Sequence, residues 1–124
     1  MNDILDFSTL SNTDLQKEYD RSIKEYHRLV DWDLELTESE DAEVYLILTE
    51  RDVLHKIISV CEERKIELDY TVLRELDKRW QAWAANHTDP EYVLIEKRDQ
   101  FPKTKWWWWI DRIAELTEQE RISL

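Results

Sequence analysis

Glycine is absent from the 124 residues, proline occurs only as Pro90 and Pro102, and Cys61 is the lone cysteine. Tight hairpins and phosphate-binding loops rely on glycine for positive φ, so its absence argues against a β-rich fold and against a Gly-rich nucleotide site. A single cysteine permits neither an intrachain disulfide nor a Cys-rich zinc site, and a reducing, cytoplasmic setting is the expectation. No apolar run approaches the roughly 18 residues needed to cross a bilayer. Residues 1–6 show neither the basic flank nor the apolar stretch of a secretory signal. Positive charge is also in short supply, with 17 Lys and Arg against 29 Asp and Glu, a formal net charge of −12. That field repels nucleic acid and anionic lipid and favours a basic protein partner, although many proteins are acidic simply to stay dispersed.

Hydrophobic residues make up 42% and charged residues 37% of the chain, the balance of a globular domain rather than of a disordered or membrane chain. Stretches rich in Glu, Lys, Arg and Leu predict helices. The expected fold is all-α, a single compact bundle of about five helices near 13–34, 38–64, 70–86, 90–99 and 105–117. Residues 1–10 form an arm that docks Ile4, Leu5, Phe7 and Leu10. Ser11 with Asp14, or Thr13 with Gln16, can cap the first helix, whose apolar face holds Leu15, Tyr19, Ile23, Tyr26, Leu29 and Val30. Thr37 and Glu40 form a capping box for the second. That helix carries two apolar stripes, Val44, Ile47, Leu48, Leu54, Ile58 and Cys61 on one side and Leu46, Val53, Ile57 and Val60 on the other, which makes it the central helix. Asp69 caps the third, with Val72, Leu73, Leu76, Trp80 and Trp83 facing inward. Asp89 before Pro90 reads as N-cap and first helical residue of the fourth. Tyr92, Val93, Leu94 and Ile95 leave a strand as the alternative there. Thr104 can cap the fifth helix.

Four consecutive indoles, Trp106, Trp107, Trp108 and Trp109, open that last helix. On an α-helical wheel Trp106 and Trp109 join Ile110, Ile113 and Leu116 on the core face, and Trp107 falls on the flank. Trp108 then points away from the core, between Asp111, Arg112 and Glu115, with Arg112 placed to stack on its ring. Two readings follow. Either the arm or the segment before Pro102 covers Trp108, or it is an exposed anchor for a partner, since Trp and Arg are enriched in interface hot spots.

Arg51 and His55, four apart, interrupt the first apolar stripe of the central helix. A charge there needs a carboxylate, an aromatic face or a groove open to water. An internal Arg–carboxylate link is the structural reading, and an aromatic-lined ligand or enzyme pocket is the functional one. Asp52 and His55 give one carboxylate-x-x-His pair where a di-iron bundle needs two, and His27 and His87 lie elsewhere, so no metal or cofactor is expected. The function expected is that of a non-catalytic, acidic binding module with Trp107, Trp108, Asp111, Arg112 and Glu115 as its contact surface. Its partner would be a basic or aromatic-accepting protein, or a second copy, and not nucleic acid or membrane.

Overall fold

The computed structural model describes residues 7–35, 41–85 and 97–124. Three long helices carry the architecture: α1 (Asn12–Glu35), α2 (Asp41–Glu63) and α3 (Thr71–Ala85). After them come a 3₁₀ turn (Arg98–Gln100), a 3₁₀ segment (Trp106–Glu115) and a short helix α4 (Glu118–Arg121). The fold is an all-α bundle with no strand among the described residues. Helix α1 packs against both α2 and α3, and the 106–115 segment lies across α2 and α3. Residues 86–96 lie outside the described residues, so the Asp89–Pro90 start and the helix-or-strand alternative at 92–95 lie there too, as does the Thr37–Glu40 box.

Ser11 is the residue that caps α1, its Oγ accepting the Asp14 N–H at 3.1 Å. Asp69 opens α3 by accepting the Thr71 N–H at 3.0 Å. The inward face of α1 is Leu15, Tyr19, Ser22, Tyr26 and Val30, and Ile23 and Leu29 pack half-buried beside it. On α2 the first stripe is sealed from Ile47 to Cys61, whereas Leu46 of the second is 50% exposed. The face of α3 is rotated from the expected one. Leu73, Leu76, Asp77, Trp80 and Ala84 turn inward, Trp83 is half-buried, and Val72 points outward at 46% exposure. Of the arm, a 3₁₀ turn (Phe7–Thr9) is described. Phe7 is buried, and Arg64 at the end of α2 donates to the carbonyls of Ser8 and Leu10.

Without glycine, the chain must end α2 with an ordinary residue in the left-handed region, and Lys65 takes φ 59°. The two hydrogen bonds of a Schellman cap are both present, Ile66 N–H to the Cys61 carbonyl at 2.8 Å and Lys65 N–H to the Glu62 carbonyl at 3.1 Å. A left-handed conformation at a residue with a Cβ costs roughly 1–2 kcal/mol. Lys65→Gly is therefore expected to stabilise the fold by about 1 kcal/mol, since the glycine's freedom in the unfolded chain offsets part of that relief. Urea unfolding measures it. A destabilised variant would mean that the Lys65 side chain contributes more than its backbone strain costs.

Candidate functional site

The fifth helix is where the sequence expectation fails most clearly. Residues 106–115 form a 3₁₀ segment, broken by non-helical torsions at Trp109 (φ −113°, ψ 21°) and Arg112 (φ −122°, ψ 29°). Its N-cap is Lys105, with no side-chain cap, so Thr104 does not serve. Long 3₁₀ runs are disfavoured, and the kinks divide this one into short turns. A three-residue period puts Trp107, Ile110, Ile113 and Leu116 on one line, and all four are buried. Trp106 is buried as well. The α-helical wheel therefore misplaces the indoles, because its 100° step does not describe this backbone.

Trp108 is not bare. It is 5% exposed, and the Phe101 ring stacks on it with centroids 4.2 Å apart and planes 10° from parallel. The covering group comes from just before Pro102, the packed alternative of the two readings. Arg112 does not lie on Trp108; it points to solvent and meets Glu115 at 4.0 Å. Asp111 turns in to pair with Arg98, both side chains nearly buried. Trp109 is the partly open indole of the four, with Arg98 and Lys103 near its face at 5.1 and 5.6 Å. Of the five surface residues expected here, Arg112 and Glu115 alone are exposed.

Arg51 is fully buried and sits where α2, α3 and the 106–115 segment meet. Its Nε donates to Asp77 Oδ1 at 3.0 Å and its Nη2 to Oδ2 at 3.1 Å, a bidentate pair with the carboxylate that α3 turns inward. Tyr26 of α1 donates its hydroxyl to the same Oδ1 at 2.6 Å. Two of the three remaining N–H groups reach the backbone oxygens of Ser123 at 3.3 Å and Leu124 at 3.4 Å. The guanidinium also lies over the Trp107 ring at 4.4 Å and near Trp106 at 5.4 Å. Burial pushes the Asp77 carboxyl up, and the Arg51 charge and the hydrogen bonds from Arg51 and Tyr26 pull it back. The Tyr26 hydroxyl is held well above its ordinary range by burial first and the Asp77 charge second, so it stays a donor.

Around this pair the aromatic rings interlock edge to face. Tyr26 meets Trp80 at 6.4 Å, Trp80 meets Trp106 at 5.6 Å, and Trp106 meets Trp107 at 5.5 Å. Trp107 donates its indole N–H to Asp52 at 3.0 Å, and Lys105 approaches the same carboxylate at 3.9 Å. His55, half-buried against Trp107, places Nδ1 2.9 Å from the Leu124 oxygen, which fixes the proton on Nδ1. Burial lowers the His55 pKa, with Lys105 and Arg51 adding to the effect and the Leu124 contact opposing it.

The pocket expected around Arg51 and His55 is thus corrected. Arg51 is enclosed, four of its five N–H groups are engaged, and its aromatic neighbours are packed on it rather than lining a void. Asp77 and Tyr26 are the partners that sequence reasoning left unnamed. Asp77 stands three before Trp80 and four after Leu73, a core spacing, but Glu75 stands three after Val72, so the spacing alone does not choose between them. No group of three metal-binding side chains is found among the described residues. His27 pairs with Asp31, and His87 lies outside them. Cys61 is a buried core thiol whose pKa burial pushes up, away from nucleophilic reactivity.

A second feature escaped the whole-chain charge count. Between residues 33 and 43 stand Asp33, Glu35, Glu38, Glu40, Asp41 and Glu43, with no Lys or Arg among them. These six acidic residues equal half of the net charge of −12; Asp33 and Glu35 belong to the last turn of α1, and Asp41 and Glu43 to the first turn of α2. Counting charge by segment would have found them.

Comparison with protein-family models, with curated proteins and with solved structures gives no match for this chain. Trp108→Ala is expected to lower stability by about 3–5 kcal/mol, the scale of a truncated core aromatic. Chemical denaturation reads it, and a loss below about 1 kcal/mol, as for a surface residue, would show that Phe101 does not cover the ring in solution.

Proposed function

We propose that this protein is a non-catalytic, cytoplasmic binding module whose partner presents a basic protein surface to the acidic end of the bundle. The observation that carries the reading is the placement of Asp33 and Glu35. Both lie in the last turn of α1, which contains no basic residue. A helix C-terminus is the negative end of the macrodipole, so each carboxylate there costs roughly 0.3–1 kcal/mol. Carboxylates at the start of α2 follow the opposite preference and need no further reason; those ending α1 oppose stability and call for one. Removal of Trp107, Trp108 and Asp111 into the interior shifts the contact surface from the indoles to this charge. Enclosure of Arg51 takes away the polar group on which a ligand-pocket reading depends. The lone cysteine and the lack of a membrane-length apolar helix among the described residues agree with the setting proposed.

The test uses a labelled octalysine peptide as the probe of a basic surface. Two variants of equal charge are compared, Asp33→Asn/Glu35→Gln/Glu38→Gln/Glu40→Gln and Glu62→Gln/Glu63→Gln/Glu67→Gln/Glu115→Gln. The first is expected to lose roughly tenfold in affinity at low salt and the second only a few-fold, with both differences shrinking as salt rises. Asp33→Asn and Glu35→Gln are also expected to raise stability slightly. Equal losses in the two variants would reduce the effect to net charge and overturn the reading.

A further inference from the structure

Three cations gather where α3 meets α4. Arg74 and Lys78, four apart, stand on one face of α3, and Arg121 lies across from them on α4. A cleft of about 270 Å³ opens between them, with Gln81 and Glu118 at its sides and the nearly buried Asp77 at its floor. Ile122, 53% exposed, gives it an apolar wall. Arg51 already matches the charge of Asp77. Glu118 is then the one remaining carboxylate against three cations, so the cleft is positive by two charges on a chain of net charge −12.

The protein's own carboxylates do not neutralise these cations. Among the described residues, Arg21, Arg28, Arg51, Arg79, Arg98 and Arg112 each meet a carboxylate within 4.0 Å, whereas Arg74, Lys78 and Arg121 form no such pair. Each guanidinium of the cleft is instead anchored on main chain. Arg74 Nη1 donates to the Ile122 carbonyl at 3.3 Å, and Arg121 Nη2 to the Ala114 carbonyl at 3.1 Å. These anchors hold the two groups beside the cleft and leave their other N–H groups available. Arg121 Nε is enclosed, with no hydrogen-bond partner among the described residues. A buried donor on a charged group is costly without an acceptor, and a bound anion supplies one.

We propose that this cleft binds a small organic phosphate monoester. Near neutral pH such a group carries roughly −1.5 to −2 charges and three acceptor oxygens, which matches two uncompensated positive charges and suits two guanidinium forks with one ammonium. A single carboxylate would leave the cleft cationic. Ile122 receives the organic body. The volume falls just below the roughly 300–1,000 Å³ of sites for drug-sized ligands, so that body is short. Neither Arg51 nor His55 lines the cleft, which is therefore separate from the pocket expected around them.

Isothermal titration calorimetry of the full chain with phenyl phosphate tests the assignment. Phenyl sulfate keeps the shape with less charge, and inorganic phosphate keeps the charge without the ring. Phenyl phosphate is expected to bind saturably at one site, and each comparison anion roughly tenfold more weakly. Lys78→Gln and Arg74→Gln, made separately, are each expected to lose about tenfold, while Lys56→Gln, which removes an exposed cation outside the cleft, changes affinity less than about twofold. Lys78 makes no hydrogen bond among the described residues, so its replacement probes the site without disturbing the fold, and far-UV circular dichroism checks this. Equal losses in Lys78→Gln and Lys56→Gln would reduce the effect to diffuse charge. Equal affinity for either comparison anion would remove the dianion or the apolar wall, and absence of saturable binding would leave the cleft a gap in packing. Tighter binding of an alanine peptide carrying one phosphoserine would give the site to a protein segment. Each of these results overturns the proposal.

Discussion

A guanidinium without access to water must find both an opposite charge and acceptors for its N–H groups, and much of this bundle is arranged around meeting that demand for Arg51. The residue sits on α2, its counter-charge Asp77 on α3, the hydroxyl that completes the carboxylate on α1, and its remaining acceptors in the backbone at 123 and 124. One side chain therefore couples four parts of the chain, the farthest of them 73 positions from Arg51. Helix packing by apolar stripes alone tolerates sliding and rotation, because Leu, Ile and Val fill space without direction. A bidentate ion pair does not tolerate them. Buried pairs of this kind generally add little net stability over an apolar isostere, whereas the bidentate geometry restricts the register in which α2 can face α3.

The indoles extend this constraint. Trp106 and Trp107 lie against the guanidinium and turn their N–H groups outward to Ser123 and Asp52, so each ring is both apolar filler and donor. The 3₁₀ backbone makes the arrangement possible. On an α-helix four consecutive indoles would sweep around the axis, and one would face solvent; the kinks at Trp109 and Arg112 instead let three of the four turn inward. Phe101 completes the enclosure over Trp108. The interior is consequently occupied by a closed polar and aromatic network. Along the chain the charge is unevenly spread, and the last turn of α1 holds Asp33 and Glu35 with no basic residue.

The sequence announced the helical class through its lack of glycine and the 3.6-residue periodicity of its first three helices, whose bounds match within a few residues. It also announced that Arg51, set inside an apolar stripe, needed a partner, and the internal carboxylate link was among the readings it allowed. Which carboxylate could not be read, since 29 acidic residues offered candidates and the choice depends on how α3 rotates. Asp77 resolves that rotation, turning Val72 outward at the same time. The 3₁₀ segment was illegible for a different reason: apolar residues at 110, 113 and 116 suit a three-residue period as well as an α-helical face. Thr117 and Glu120 form a capping box that the sequence spells out, but the apolar period running to Leu116 carries the expected fifth helix into it.

If the Arg51–Asp77 pair is the constraint that sets the bundle's register, its two members must be coupled energetically, and a double-mutant cycle measures that coupling directly. Arg51→Met and Asp77→Leu are each expected to destabilise the protein by about 3–5 kcal/mol, because each leaves a buried charge without its partner. Made together, they remove both charges. The double variant is then expected to lose at least about 2 kcal/mol less than the sum of the single losses. Strictly additive losses would mean that the two side chains contribute independently, and would contradict the account.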